Sequence, residues 1–228
     1  MSKKNKKISA GILVIGNEIL SGRTIDKNIY FLALWLNNNL GIKVSEVRIV
    51  PDVESKIVKN VLSLSKSNDY VLTTGGIGPT HDDITSKSIS KAFKKKYIFH
   101  KEAYNILQKY YGNKNFNDPR KKMAKMPSGS KLIYNPSSAA PGFMIKNVIC
   151  LPGVPSILKS MVDNLKNYMS PGLKTHSSTV SVETIESTIA KGLEKIQIKY
   201  KKTVDIGSYP FFRLGKIGVS IVIRSSNK

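Results

Sequence analysis

Apolar and polar positions follow two rhythms along this chain, and each change of rhythm marks an element. Ile8 to Ile15 is apolar almost throughout and reads as a buried first strand. From Asp26 to Leu40 the spacing turns helical. Ile29, Leu32, Ala33, Leu36 and Leu40 share one stripe, with Asp26 as cap and Gly41 as stop. Ile42 to Val50 alternates and predicts the second strand, which Pro51-Asp52 ends. A helix comes next from Val53 to Ser67, then a short third strand at Tyr70–Leu72. That strand runs into Gly75-Gly76-Ile77-Gly78-Pro79, and Ile84, Ile89 and Phe93 then recur at helical spacing. The order β-α-β-α-β-α predicts a parallel sheet with right-handed connections.

The second half is more broken. Tyr97–Phe99 reads as a strand, Lys101–Tyr111 as a helix and 113–120 as a polar loop. Arg120 to Lys125 reads as a solvated basic turn, with some capacity to help hold a phosphate. Pro127 to Gly142 is rich in turn residues. Phe143 to Leu151 predicts a hairpin turning at Lys146-Asn147, and Pro152-Gly153-Val154-Pro155 opens a helix over Ser156–Met169. Ser170-Pro171-Gly172 marks a boundary. Beyond it lie a strand (Thr179–Glu183), a helix (Ile185–Tyr200) and two strands (Val204–Tyr209, Ile217–Arg224). The expected division is a disordered basic tail at 1–7, an α/β domain over 8–172 and a small βαββ α+β piece over 173–228.

The glycine stretch carries the candidate chemistry. It is not a Walker loop, because no Lys follows the glycines. Nor is it a dinucleotide fingerprint, because His81 stands where the third Gly belongs. Glycines at a strand's carboxyl end still let a phosphate approach backbone N–H groups. Asp82 and Asp83 sit at the expected start of the next helix, where capping alone could account for them. The same holds for Asp52. Strand ends in an open α/β sheet lie side by side, so Asn17, Glu18 and Arg23 after the first strand join these positions as candidates. Glu18, Asp52 and Asp82/Asp83 then form a constellation suited to Mg²⁺ and phosphate.

Composition narrows the partners. The net charge is +22, carried by Lys spread along the chain, with Arg only at positions 23, 48, 120, 213 and 224. Arg is the preferred residue for specific phosphate and base contacts. A solvated Lys-rich surface accounts for the charge, and a nucleic-acid role is disfavoured. The single cysteine, Cys150, lies in an apolar run and excludes an internal disulfide and a Cys-rich metal site. A reducing, cytoplasmic setting fits. No apolar stretch is long enough to span a membrane, so no membrane partner is expected.

Thr73-Thr74-Gly75-Gly76-Ile77-Gly78-Pro79-Thr80-His81-Asp82-Asp83-Ile84-Thr85 resembles the TTGG-x-GPTHDD-x-T signature of CinA-type proteins. Gly16-Asn17-Glu18-Ile19-Leu20-Ser21-Gly22 resembles their opening segment. Ala140-Pro141-Gly142-Phe143 and Leu151-Pro152-Gly153-Val154-Pro155 resemble two more signatures. Ile206-Gly207-Ser208-Tyr209-Pro210 is similar to a segment of the molybdopterin-binding-like domain of eukaryotic FAD synthases. The resemblance implies a three-layer α/β/α domain of the MoaB/MogA type, with functional aspartates at Asp52 and Asp83. It also implies metal-dependent hydrolysis of nucleotide pyrophosphates such as ADP-ribose or FAD.

In that reading Thr74, Gly75, Gly76, Gly78 and Thr80 cradle phosphate, with Asn17 beside them. Pro152 and Gly153 close the cleft. Asp52, Asp83, Asp82 and Glu18 hold Mg²⁺, Mn²⁺ or Co²⁺. The alternative is a non-catalytic module that binds a pterin or nucleotide. A homo-oligomer is expected from the superfamily only. Two departures stand out. Ile157 occupies a position that is often acidic in CinA proteins. The deamidase and adenylyltransferase domains of larger members have no counterpart expected in these 228 residues, so those activities are not carried over.

Overall fold

The computed structural model describes residues 7–213 and 215–226, so the predicted basic tail lies outside the described residues except for Lys7. The chain forms two compact units, Met1–Gly172 and Leu173–Lys228.

In the first unit strand and helix rhythms give a largely alternating order of elements. Strand β1 (Ser9–Ile15) leads through a single turn, α1 (Asn17–Leu20), to α2 (Asn28–Trp35). Then come β2 (Lys43–Val50), α3 (Glu54–Ser67), β3 (Tyr70–Thr74), α4 (Thr85–Ala92) and β4 (Tyr97–Phe99). After them come α5 (Lys101–Asn115), α6 (Asp118–Lys122), β5 (Lys125–Pro127), β6 (Lys131–Ile133), β7 (Gly142–Ile145), β8 (Val148–Leu151) and α7 (Pro155–Met161). The central sheet has six strands in the order β2-β1-β3-β8-β7-β6. β2, β1, β3 and β8 run parallel. β7 and β6 run antiparallel at one edge, because β7 and β8 are joined by a tight turn.

Side-chain alternation divides the core into two layers. On β1, Leu13 and Ile15 face one layer, where Ile57, Val61 and Leu64 of α3, Ile89 of α4 and Leu107 of α5 meet them. Ala10, Ile12 and Val14 face the other, against Leu32 and Trp35 of α2 and Leu158 and Met161 of α7. Helices on both faces of a mostly parallel sheet make the predicted three-layer α/β/α domain.

Several boundaries differ from the expectation. The helix foreseen to Leu40 is α-helical only to Trp35. Its last turn, Leu36–Leu40, is π-helical and ends on Gly41 at φ 63°. The helix foreseen to Met169 is α-helical to Met161 and 3₁₀ over Val162–Asn167. Helix α5 runs past Tyr111 with a kink at Gly112. The expected polar loop and basic turn contain α6, started by Asn117, whose side chain accepts from the Arg120 N–H, with Pro119 in the first turn. The turn-rich stretch contains β6, which pairs Leu132 with Phe143.

The second unit is βαββ as foreseen: β9 (His176–Val182), α8 (Glu186–Tyr200), β10 (Val204–Arg213) and β11 (Lys216–Ser225). Its antiparallel sheet has the order β10-β11-β9. Among the described residues no helix is long and apolar enough to cross a membrane.

The β7–β8 turn is tied down by Asn147. Its amide donates to the carbonyls of Ser65 and Asn68, both at 3.0 Å, and its Oδ1 accepts from the Ser65 hydroxyl at 2.6 Å. Asn147→Ala removes all three bonds and leaves two carbonyls short of a donor. The expected loss is about 2 kcal/mol, read by urea unfolding. A loss below about 0.5 kcal/mol would show that water replaces the amide there.

Candidate functional site

The carboxyl ends of four parallel strands lie at one level. The Gly16 N–H donates to the Val50 carbonyl (3.2 Å) and the Gly75 N–H to the Leu151 carbonyl (3.1 Å). The chain then turns through Gly75 (φ 97°) and Gly76 (φ 68°), values that favour glycine. A Cβ on Gly75 would collide with the Ile15 carbonyl oxygen, and one on Gly76 with the Thr85 hydroxyl. Thr85 is the first residue of α4 and is fully buried. Its hydroxyl donates to the Gly75 carbonyl at 2.9 Å, and its N–H donates to the Gly76 carbonyl at 2.9 Å. Across this floor, a Cβ on Gly153 would lie 3.3 Å from the Gly75 Cα, so the two loops nearly touch. The buried amide of Asn28, on α2, holds the second loop by donating to the Gly153 carbonyl at 2.8 Å.

A cavity of about 800 Å³ opens over these strand ends. Gly75, Gly76 and Gly78 form its backbone floor, Pro152 and Gly153 one side, and Glu18, Asp52, Asp82 and Asp83 the acidic wall. These predicted residues are therefore together. Four others are not in the lining. Thr74 is only 1% exposed. It comes two residues after Leu72 on β3, so strand alternation turns its hydroxyl toward the core rather than to a ligand. Its Oγ1 has no partner among the described residues. Thr80 acts on the acids instead. Its N–H donates to Asp83 Oδ2 (2.8 Å), and its hydroxyl lies 2.6 Å from the same oxygen and 2.5 Å from Asp82 Oδ1. Asn17 contributes its backbone N–H, which donates to Asp52 Oδ2 at 2.9 Å. Arg23 is exposed and away from the lining.

The capping readings also fail. Helix α3 has no side-chain cap and neither has α4. Asp52 instead accepts from the Asn17 N–H at the start of α1, on a different loop, and Asp83 accepts from Thr80 within its own loop, so neither caps the helix that follows it.

Four carboxylates around one cavity repel each other. The Asp52 carboxyl is pushed above its ordinary range chiefly by burial, and further by the charges of Glu18, Asp82 and Asp83, against the Asn17 N–H that lowers it. Asp82 is held below the usual range by the Thr80 hydroxyl and its own backbone N–H, with His81 and Lys122 adding to it. The Lys122 ammonium also donates to the Thr80 carbonyl. Among the described residues, no three His, Cys, Asp or Glu side chains are grouped tightly enough to hold a metal ion. The expected four-carboxylate shell is thus not closed. The donor chemistry still fits a hard divalent cation bound the way Mg²⁺ often is, by one or two carboxylates completed by phosphate oxygens and water.

Two further walls are not placed at the site by the sequence, although Arg120 to Lys125 reads there as having some capacity to help hold a phosphate. Tyr111, Arg120 and Met123, from α5 and the end of α6, line one side. Asn135 organises the other. Its Oδ1 accepts from the N–H groups of Ser137 and Ser138, and its amide donates to the Ser138 hydroxyl and the Ala140 carbonyl. The Asn117-Asp118-Pro119 helix start was the available signal for the first wall, and the Asn135-Pro136-Ser137-Ser138 turn chemistry for the second.

Comparison with known proteins gives two family matches. The family described as "Probable molybdopterin binding domain" matches residues 11–174, and "FAD synthase, middle domain" matches residues 174–228. A protein of Archaeoglobus fulgidus is 35% identical over 199 residues, 87% of this chain and 84% of its own length. A CinA-like protein of Fusobacterium nucleatum is 38% identical over 162 residues, 71% of this chain. The match covers only 40% of that relative, less than half its length. The crystal structure of the protein CinA from Thermoplasma acidophilum aligns with a TM-score of 0.66 at 31% identity, over 72% of this chain and 99% of that one.

Removing one charge from the acidic wall should relieve it. An acid whose folded pKa is raised weighs against folding above that value, and the penalty fades as pH falls toward its ordinary 3.8. Asp52→Asn keeps an oxygen for the Asn17 N–H. In EDTA it is expected to melt above the wild type at pH 7, with the difference vanishing near pH 4. Melting curves against pH check both the sign and the window. A variant less stable than wild type at pH 7 would mean that the Asn17 contact outweighs the repulsion.

Proposed function

The chain belongs to the molybdopterin-binding domain family in its CinA-like branch, and from that premise we propose that it is a divalent-cation-dependent hydrolase of nucleotide pyrophosphates of the ADP-ribose or FAD class. One observation carries the reading: a backbone floor free of side chains faces a wall of four carboxylates in a cavity of about 800 Å³. That volume lies within the range of small-molecule and cofactor sites.

The chain's own residues divide the work. The N–H groups of Gly76, Ile77 and Gly78 have no acceptor among the described residues and lie on the floor, suited to phosphate oxygens. Gly153, held by Asn28, limits the depth to which a ligand enters. Asp52 and Asp83 each have one oxygen fixed, by Asn17 and Thr80, and the other without a protein partner among the described residues. One or two of the wall's carboxylates, Asp52 and Asp83 foremost, would hold the cation together with the ligand's phosphates and water. A bound divalent cation supplies charge neutralisation at the bridging phosphates and a lowered pKa for an attacking water.

A second reading is a module that binds a pterin or nucleotide without turning it over, which does not require the carboxylates to form a metal shell. The two separate on metal dependence. Purified protein is offered ADP-ribose and FAD with Mg²⁺, Mn²⁺ or Co²⁺, against an EDTA control, and mononucleotide products are measured. The hydrolase requires cation-dependent cleavage. Asp83→Asn should lower it about a hundred-fold or more while melting near the wild type, because the amide oxygen can still accept from Thr80. Tight binding that survives EDTA, with no turnover in any metal, would leave the binding module.

A further inference from the structure

Arg120 is the one basic residue among the described residues that line the cavity. Among the described residues no lysine reaches the lining, although the chain carries a +22 charge; even Lys122, two residues on, spends its ammonium on the Thr80 carbonyl. Arg120 is half-buried and its guanidinium is held in place. The guanidinium carbon sits 4.3 Å from the centre of the Tyr111 ring, and one terminal nitrogen donates to the Asn115 carbonyl at 2.5 Å. The remaining N–H donors have no acceptor among the described residues. Among the described residues its contacts are with Asn115 and Tyr111, and no ion pair joins it to Glu18, Asp52, Asp82 or Asp83. The guanidinium therefore stands apart from the acidic wall, neither neutralised by it nor competing for it.

A nucleotide entering this cavity brings phosphates toward four carboxylates. Without a cation the acidic wall repels them, and among the described residues Arg120 is the only group in the lining that attracts them by charge. Its planar fork matches a phosphate, and stacking on Tyr111 with one bond to the backbone removes much of the rotamer freedom that binding would otherwise have to freeze. Resting on the nucleotide reading of the site, we propose that Arg120, oriented by Tyr111, is a metal-independent phosphate subsite of this cavity, so that the site selects phosphorylated over unphosphorylated nucleosides even when divalent cations are absent.

The test compares AMP with adenosine by calorimetry in EDTA. Wild type binds AMP more tightly than adenosine. Arg120→Gln keeps a donor for Asn115 but no charge, and should weaken AMP about ten- to a hundred-fold while leaving adenosine unchanged. Arg120→Lys recovers part of the loss, since it restores the charge without the fork. Tyr111→Leu removes the ring that orients the guanidinium and should weaken AMP several-fold in the same direction, with adenosine unchanged. An AMP affinity unchanged in Arg120→Gln overturns the proposal. So does an equal loss for adenosine, which would point to base stacking or to damage at the α5–α6 junction. So does a wild type that does not prefer AMP. The outcome is independent of catalysis. Arg120-dependent AMP binding without turnover in any metal retires the hydrolase and keeps the subsite. Metal-dependent turnover with AMP binding indifferent to Arg120 does the reverse.

Discussion

The carbonyl oxygen of Ile15 occupies the space where a Cβ on residue 75 would have to be. That exclusion sets the rest of the site. β1, β3 and β8 can end level with one another only if the chain leaving β3 carries no side chain. Gly75 satisfies this, donates to Leu151 and receives the Thr85 hydroxyl on its carbonyl. Gly153 comes close for the same reason, and the Asn28 amide keeps it there. The cavity floor is consequently backbone, and the carboxylates stand in a ring one step out, on the loops after β1, β2 and β3. A phosphate can come nearer to main-chain N–H groups than side chains would allow, while the carboxylates remain at its flanks.

The electrostatics of the cavity oppose those of the chain as a whole. A strongly basic protein places all but one of the cavity's charged lining residues on the acid side. The long-range field attracts polyanionic ligands toward the surface, whereas the acidic wall resists the final approach. The wall is nevertheless well ordered. Thr80 braces Asp82 and Asp83 from within the loop, Lys122 braces Thr80, and the Asn17 N–H braces Asp52. Like charges fixed in this way cannot relax apart, and they add to the burial that raises the Asp52 carboxyl. Repulsion kept in place by separate hydrogen-bonding groups is hard to explain as surface capping, because capping would have aimed the same aspartates at α3 and α4.

The fold was legible wherever one physical signal dominated. Continuous apolar runs identified β1 and β8, alternation identified β2, and the strand–glycine–helix passage placed the floor. The acidic positions were legible through sheet topology, since neighbouring parallel strands bring their carboxyl-end loops together. The misses share one cause: they depend on where a side chain points, not on its chemical type. Thr74 sits inside the signature, yet β-strand alternation buries its hydroxyl. Thr80 is polar and exposed, yet it serves the neighbouring carboxylates. Arg120 looked like part of a solvated basic turn. Asn117 and Pro119 in fact start a helix there, and Tyr111 from the preceding helix draws the guanidinium into the cavity wall. The π-helical turn at Leu36–Leu40 was equally invisible, because its residues keep the apolar positions that an α-helix would use.

These contacts also bear on how a hydrolase and a binding module would differ on this scaffold. A module that only holds a pterin or nucleotide gains nothing from four carboxylates facing the ligand's phosphates; neutral donors would bind better and would spare the fold the repulsion at Asp52. Acids at that position make physical sense when the bound species includes a cation that turns the repulsion into attraction. The open spacing of the carboxylates agrees with this, because a closed protein shell would leave no coordination positions for the ligand's oxygens. On the proposed cation-dependent reading, the site is a half-shell whose other half is the ligand. The proposed role of Arg120 complements that reading, since a guanidinium set apart from the acids would give the phosphates a first foothold that does not depend on the cation.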